Sequence, residues 1–301
     1  MIDTHCHLTY DGLYERVDEV LAAARADGVD RMITVGTTPA DAMKAVALAE
    51  KYPQVYATVG LHPHYSLQWD LDEVAAAIRT LSAHPKVVAI GEMGLDRHYP
   101  EPPIDAQKKA FEMQLALVRE LDAEAQAVVR PPLPPRERAG VRVDTSRFSP
   151  TCDATNPTHF LKPIIIHNRE ATDETIAMIR ASGIPGERFV FHCFTGTSAE
   201  LDKILDLGAM VSFTGITTFK SAAAIAACAV RMPADRIMIE TDSPYLTPEP
   251  HRKLRPNEPR YVALVAQFLA AKRGLSVEEF VTQVDANAVR FFGLPIGDNR
   301  G

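Results

Sequence analysis

Cysteine is scarce in this chain. Cys6, Cys152, Cys193 and Cys228 are four among 301 residues, and none form a Cys-x-x-Cys pair. That excludes a disulfide framework as the basis of the fold and makes a reducing, cytoplasmic setting the expectation. Long apolar runs are missing as well. None approaches the ~20 residues of a membrane span. No secretory signal opens the sequence, where His5 and His7 stand instead, so no membrane association is expected. Positive charge is in deficit, with 32 Lys and Arg against 39 Asp and Glu for a net charge of −7. A protein that passively coats nucleic acid is excluded, whereas an enzyme whose metals and local arginines handle phosphates is not. There is no Gly-rich phosphate loop after the first strand-like run, no serine-centred nucleophile elbow and no redox-cofactor motif.

What the chain does contain is a sizeable apolar fraction, 46%, arranged in alternating strand-like and helix-like segments. Short aliphatic runs predict strands near 1–7, 31–36, 55–60, 87–92, 163–167, 189–192, 210–213 and 237–240, of the kind buried on both faces. Amphipathic stretches predict helices over 13–27, 40–52, 71–82, 106–121, 171–182, 198–207, 222–231 and 260–271. Gly28, Gly183 and Gly208 stand where helix C-caps belong. Eight such units predict a (β/α)8 TIM barrel, a single domain over 1–301, with an open doubly wound sheet as the other possibility. Residues 123–162 break the rhythm with a proline-rich run, Arg130 to Arg138, and then a polar stretch. They are expected to form a partly disordered insertion between the fourth helix and the fifth strand. It would enter on the barrel face opposite the one that carries active sites.

Potential metal ligands recur at the predicted strand ends. His5 and His7 close the first strand on a shared face, roughly 7 Å apart along it. His62 and His64 follow the third strand, Glu92 ends the fourth, His167 the fifth and His192 the sixth, and Asp242 follows the eighth. Any one of these could be an ordinary rim residue or a helix cap. Six of the ten histidines falling at such positions points instead to a metal site. Histidine with carboxylate suits Zn²⁺, Mn²⁺, Fe²⁺ or Co²⁺, and oxygen-rich sites suit Mg²⁺. The donors exceed what one catalytic ion needs. Two divalent ions roughly 3.5–4 Å apart would share them through a bridging carboxylate, for which Glu92 is the candidate. That arrangement serves hydrolysis.

The motifs IDTHCHL, GLHPH, GEMGLD, IIIHNRE, FHCFTG and IETDSPYL, in this order, resemble the TatD-type metal-dependent deoxyribonuclease family within the amidohydrolase-like barrels. The resemblance runs from Met1 to about Phe292 and is interrupted by the insertion. It implies cleavage of phosphodiester bonds, chiefly of DNA and often from 3′ ends, with Mg, Mn or Zn as candidate metals. Carried over by motif, His5, His7, Glu92 and Asp242 would surround one ion, and Glu92, His167 and His192 the other. Asp242 and Glu92 would be the catalytic carboxylates, with Asp242 orienting the attacking water. His62 would lie by the substrate phosphate, and His64 and Glu240 would support the ligands from behind. Arg169 leads the candidates for phosphate contact, ahead of Arg97, Lys220, Arg252, Lys253 and Arg255. Tyr65, Tyr99, Phe194 and Tyr245 are candidates for stacking on bases. The expected partner is a nucleic acid, and no obligate protein partner is indicated. An alternative is a hydrolase of a small amide, lactone or phosphoester on the same barrel. That branch often bridges its metals with a carboxylated lysine, and no lysine ends a predicted strand here.

Overall fold

The computed structural model describes residues 1–129 and 161–295. Eight strands pair in parallel in the order β1 to β8: β1 (Ile2–Cys6), β2 (Arg31–Thr34), β3 (Val55–Val59), β4 (Val87–Asp96), β5 (Ile164–Arg169), β6 (Phe189–Phe191), β7 (Met210–Phe213) and β8 (Ile237–Ile239). Helices α1 (Val17–Ala26), α2 (Pro39–Lys51), α3 (Leu71–Leu81), α4 (Ile104–Val129), α5 (Thr172–Ser182), α6 (Ser198–Leu207), α7 (Ala223–Arg231) and α8 (Val262–Arg273) follow the strands in turn. This is the (β/α)8 barrel expected from the alternation. No described helix is long and apolar enough to cross a membrane.

The barrel closes through side chains as much as through a ladder. Between β8 and β1 there is a single parallel bridge, Cys6 to Ser243. Asp3 accepts the Thr241 amide at 2.9 Å and the Thr241 hydroxyl at 2.6 Å, and the Thr4 hydroxyl donates to the Ile239 carbonyl at 2.9 Å. Inside, Ile2, Ile33, Tyr56, Val88, Ile165, Val190, Met210 and Met238 form one cluster, a residue from each strand. The larger apolar cluster lies between strands and helices and includes Cys6.

Two differences from expectation matter. A ninth helix, α9 (Val277–Phe292), follows α8 and was not anticipated. Its Ala288, Phe291 and Phe292 join the barrel-interior cluster, so it seals the end away from the site. A capping box, Ser276 with Glu279, starts it and was the available signal. The second difference is that α4 runs to Val129, so residues 123–129 are helix and not insertion. Ala, Glu and Gln are good helix formers, which accounts for helix over 123–129. The rest of the expected insertion, 130–160, lies outside the described residues.

Candidate metal centre

The local backbone aims the ligands. In β1 an extra residue lies between Asp3 and Cys6, shown by the pairing of Asp3 with Met32 and Cys6 with Thr34. This bulge lets Ile2 fill the interior while His5 and His7 also turn inward. β4 carries two register shifts, one on each side, before and after Ile90. They rotate Glu92 into the barrel mouth. Gly91 and Gly94 have φ of +129° and +144°, and a Cβ on Gly91 would lie 2.5 Å from the Ile165 carbonyl. The GEMG stretch is therefore a backbone requirement as well as a ligand motif. β8 ends at Ile239, and Asp242 reaches the mouth through a φ of +53°. Glu240, just past β8, also faces the interior, with Oε1 3.4 Å from His192 Nδ1.

Glu92 is the centre of the constellation. One oxygen, Oε1, lies 2.6 Å from His192 Nε2, 2.8 Å from His167 Nδ1 and 3.4 Å from His62 Nε2. The other, Oε2, lies 3.3 Å from His5 Nε2. His7 Nε2 and His5 Nε2 lie 3.3 and 3.8 Å from Asp242 Oδ1. The rings of His5 and His192 stack at 4.0 Å. Ligand atoms thus gather within 4.8 Å of one another in groups, among them His5–His7–Asp242, His5–Glu92–His192 and His62–Glu92–His167. All six residues expected to hold metal meet at one mouth.

The donor set fits metal on a direct observation. Both ring nitrogens of His5 and Nδ1 of His7 are buried without a hydrogen-bond partner. Buried polar atoms normally have one, and an ion at His5 Nε2, the nitrogen that faces Glu92 and Asp242, would take up its lone pair. His62 differs. Its Nδ1 accepts the His64 amide at 3.1 Å, so the ring proton belongs on Nε2, which points at His167 Nδ1 (3.1 Å) and Glu92. A nitrogen carrying a proton cannot ligate, so His62 is a donor facing the site.

Charges are tightly coupled. Burial pushes the Glu92 carboxyl up, but His192, His62 and His167 outweigh it and hold it well below the usual carboxylate range. Burial opposes the charged form of His192 too, yet Glu92 and Glu240 raise it well above an ordinary histidine. His7 is raised by Asp242, and His167 by Asp96 and Glu92, each against burial. Burial lowers His5, and lowers His62 to about 4. Glu240 supports His192 from behind. Its Oε1 lies 3.4 Å from His192 Nδ1 and accepts the Cys193 amide at 2.7 Å.

Several expected substrate contacts fall elsewhere. Arg97 forms a two-point ion pair with Glu174, at 2.5 and 2.8 Å, and Arg255 is bonded to the Thr247 hydroxyl and to loop carbonyls. The Arg252 guanidinium lies over the Phe219 ring, 4.1 Å from its centroid. Lys220 and Lys253 are exposed. Phe194 is buried against Phe213 and belongs to the core. Arg169 is on the mouth side, its guanidinium 5.3 Å from the Tyr99 ring centroid. Tyr99 is 48% exposed beside His64, and Tyr245 is 51% exposed beside His7. Tyr65 is only partly buried and lies edge-on to His62. Sequence reasoning missed Asp96. It lies within GEMGLD on the same face as Glu92, but the fourth strand was taken to end at residue 92 and in fact extends to Asp96.

Comparison with known proteins agrees with this geometry. The model of the family described as TatD related DNase matches residues 2–126 and 156–293, passing over most of the expected insertion. The uncharacterized metal-dependent hydrolase YabD of Bacillus subtilis (strain 168) is 34% identical over 294 residues, 98% of this chain and 99% of that protein. The 3'-5' ssDNA/RNA exonuclease TatD of Klebsiella pneumoniae (strain 342) is 33% identical over 304 residues, 98% of this chain and 99% of that one. The crystal structure of YJJV, a TatD homolog from Escherichia coli K12, superposes with a TM-score of 0.79 over 98% of each chain at 24% identity, a likeness of fold. With a family model and full-length relatives in agreement, the chain belongs to the TatD-related DNase family.

Proposed function

We propose that this protein is a two-metal phosphodiesterase that trims single-stranded nucleic acid, DNA first, from its 3′ end. The coarser statement is already secure: it is a metal-dependent hydrolase of a nuclease family. One observation carries the finer reading. Glu92 presents Oε1 to His167 and His192 and Oε2 to His5, so a single carboxylate is shared by two groups of donors. The full-length relative named as a 3'-5' ssDNA/RNA exonuclease supports the choice of substrate.

His5, His7, Glu92 and Asp242 would hold one ion, and Glu92, His167 and His192 the other. Divalent ions held there would supply Lewis acidity, bringing the pKa of water towards neutral and offsetting phosphate charge. The chain's own residues do the rest. Asp242, with an oxygen beside His5 and His7, orients the attacking water and accepts its proton. His62 directs its Nε2–H into the site as a donor for a phosphate oxygen. Arg169, steadied by the Tyr99 ring, meets the neighbouring phosphate from the rim. The half-exposed Tyr99 and Tyr245 offer faces on which unpaired bases stack. The small-substrate alternative gains no support from the bridge, since Glu92 occupies the place of a carboxylated lysine.

The test is cleavage of end-labelled oligonucleotides, single-stranded and duplex, DNA and RNA, with Mg²⁺, Mn²⁺ or Zn²⁺ added separately. Single-stranded DNA should shorten from the 3′ end only with metal, and Glu92→Gln and Asp242→Asn should abolish this. Metal-independent cleavage, or activity retained in both variants, would refute the reading.

A further inference from the structure

Asp96 belongs to none of the roles assigned above, yet its surroundings are those of a built device. It is 1% exposed at the mouth end of β4. Its Oδ2 lies 3.0 Å from Nε2 of His64 and 3.0 Å from Nε2 of His167. Its Oδ1 accepts the His98 amide at 2.8 Å. The backbone on both sides is pinned as well. The buried Gln107, in the first turn of α4, accepts the Asp96 amide at 2.8 Å and donates to the Asp96 carbonyl at 2.9 Å. Both oxygens are therefore occupied by donors, and the carboxylate has little freedom to turn.

We propose that Asp96 is a positioning residue that fixes His167 as an Nδ1 metal ligand and at the same time holds His64 towards substrate. The inference rests on the two-metal reading. A carboxylate at Nε2 draws the ring proton to that nitrogen and leaves Nδ1 with its lone pair, and His167 Nδ1 faces Glu92 Oε1 at 2.8 Å. The same oxygen does this for His64, whose side chain is 34% exposed and stands edge-on to Tyr99. With Nε2 committed to Asp96, Nδ1 is the ring atom of His64 left for a ligand. One oxygen thus links the second metal position to the substrate side of the mouth. Glu240 lies behind His192, its Oε1 3.4 Å from Nδ1 and not hydrogen-bonded to it, so the bonded carboxylate behind His167 is particular to Asp96.

The decisive measurement uses the full chain, wild type, labelled with ¹⁵N-histidine, with and without Zn²⁺. Long-range ¹H–¹⁵N spectra report which ring nitrogen carries the proton. Zn²⁺ should shift His167 Nδ1 while His167 Nε2 and His64 Nε2 keep their protons. Zinc bound through His167 Nε2 would overturn the proposal, because Asp96 would then be a ligand itself. A proton on His167 Nδ1 in the loaded protein would overturn it too. Zinc binding with no change at His167 would instead sink the two-metal reading, and this inference with it. Variants add a second line, with circular dichroism to verify folding. Asp96→Asn should lose about 10–100-fold in Zn²⁺ affinity at one of two sites by calorimetry. His64→Gln should bind Zn²⁺ as the wild type does but raise KM for an oligonucleotide. Wild-type affinity in folded Asp96→Asn would refute the positioning role.

Discussion

Filling the two metal positions should release different numbers of protons. In the ion-free protein, His7, His167 and His192 are raised above the ordinary histidine value by neighbouring carboxylates, despite burial. His5 and His62 are lowered by burial and enter neutral. A metal ligand must lose its proton, so an ion among His5, His7, Glu92 and Asp242 displaces the proton of His7 alone. An ion among Glu92, His167 and His192 displaces two. Each displaced proton makes affinity fall about tenfold, or about 1.4 kcal/mol, per pH unit below the relevant pKa. The first position should therefore weaken by roughly 10-fold per unit of acidification and the second by up to roughly 100-fold. Calorimetric titration of Mn²⁺ or Zn²⁺ between about pH 6 and 8, repeated in buffers of different ionisation enthalpy, counts the protons directly. His7→Gln should remove the release from one position and leave the other unchanged. Affinity that does not vary with pH, or equal release from both positions, would refute this account of the charges.

Five further outcomes follow from particular contacts and placements. Gly94→Ala would place a Cβ inside contact distance of the His167 carbonyl oxygen at a φ of +144°. The cost should be about 3 kcal/mol or more, read as a Tm drop of about 6 °C or more by scanning calorimetry. Arg169→Ala should raise KM for single-stranded DNA roughly 10-fold, the loss of one charge-assisted contact. Arg97→Ala should leave KM unchanged, because that guanidinium is held by Glu174. Asp3 lies at the barrel seam, where burial, against hydrogen bonds from Thr241, raises its carboxyl to about 8. The folded state then keeps a proton that the unfolded chain has lost, so stability falls as pH rises from about 4 to about 8. Asp3→Asn removes that dependence. The stability gap between variant and wild type should move in favour of the variant by up to about 1.4 kcal/mol per pH unit, measured by urea unfolding. Finally, α4 ends and β5 begins on the face opposite the site, so replacing 130–155 by a short Gly-Ser linker should preserve metal-dependent cleavage.

How much of the site was legible in the sequence depends on where each residue sits. His5, His7, His167 and His192 each close a short aliphatic run, and the period of the pattern puts His167 and His192 on the interior face with Ile165 and Val190, whereas His5 and His7 reach that face through the bulge in β1. Asp96 was not legible as a site residue, because β4 carries two register shifts and continues past the expected stop. Arg97 and Arg169 read alike as basic residues after strands. Only the neighbourhood of Glu174 on α5 separates a structural ion pair from a free cation. Phe194 is by sequence a candidate for stacking on a base, with packing the favoured reading, and its contact with Phe213 on β7 places it in the core.

By itself the sequence determined parallel strands alternating with helices, since burial of both strand faces requires that pattern, whereas closure into a barrel and not an open sheet is set by the contacts between the first and last strands. It also determined that the donors would face one mouth, because strand ends of a parallel barrel share an end. Only the tertiary structure decided which donors meet. Glu92 touches histidines from β1, β5 and the turns after β3 and β6, up to 100 residues away in the chain. Such convergence depends on bulges, on glycines with positive φ and on the Asp3–Thr241 seam that closes the barrel. The proton positions on the rings were likewise set by contact. His62 and His64 stand two residues apart in one motif. The first is a donor into the site because it accepts the amide of the second, and the second is tied to Asp96.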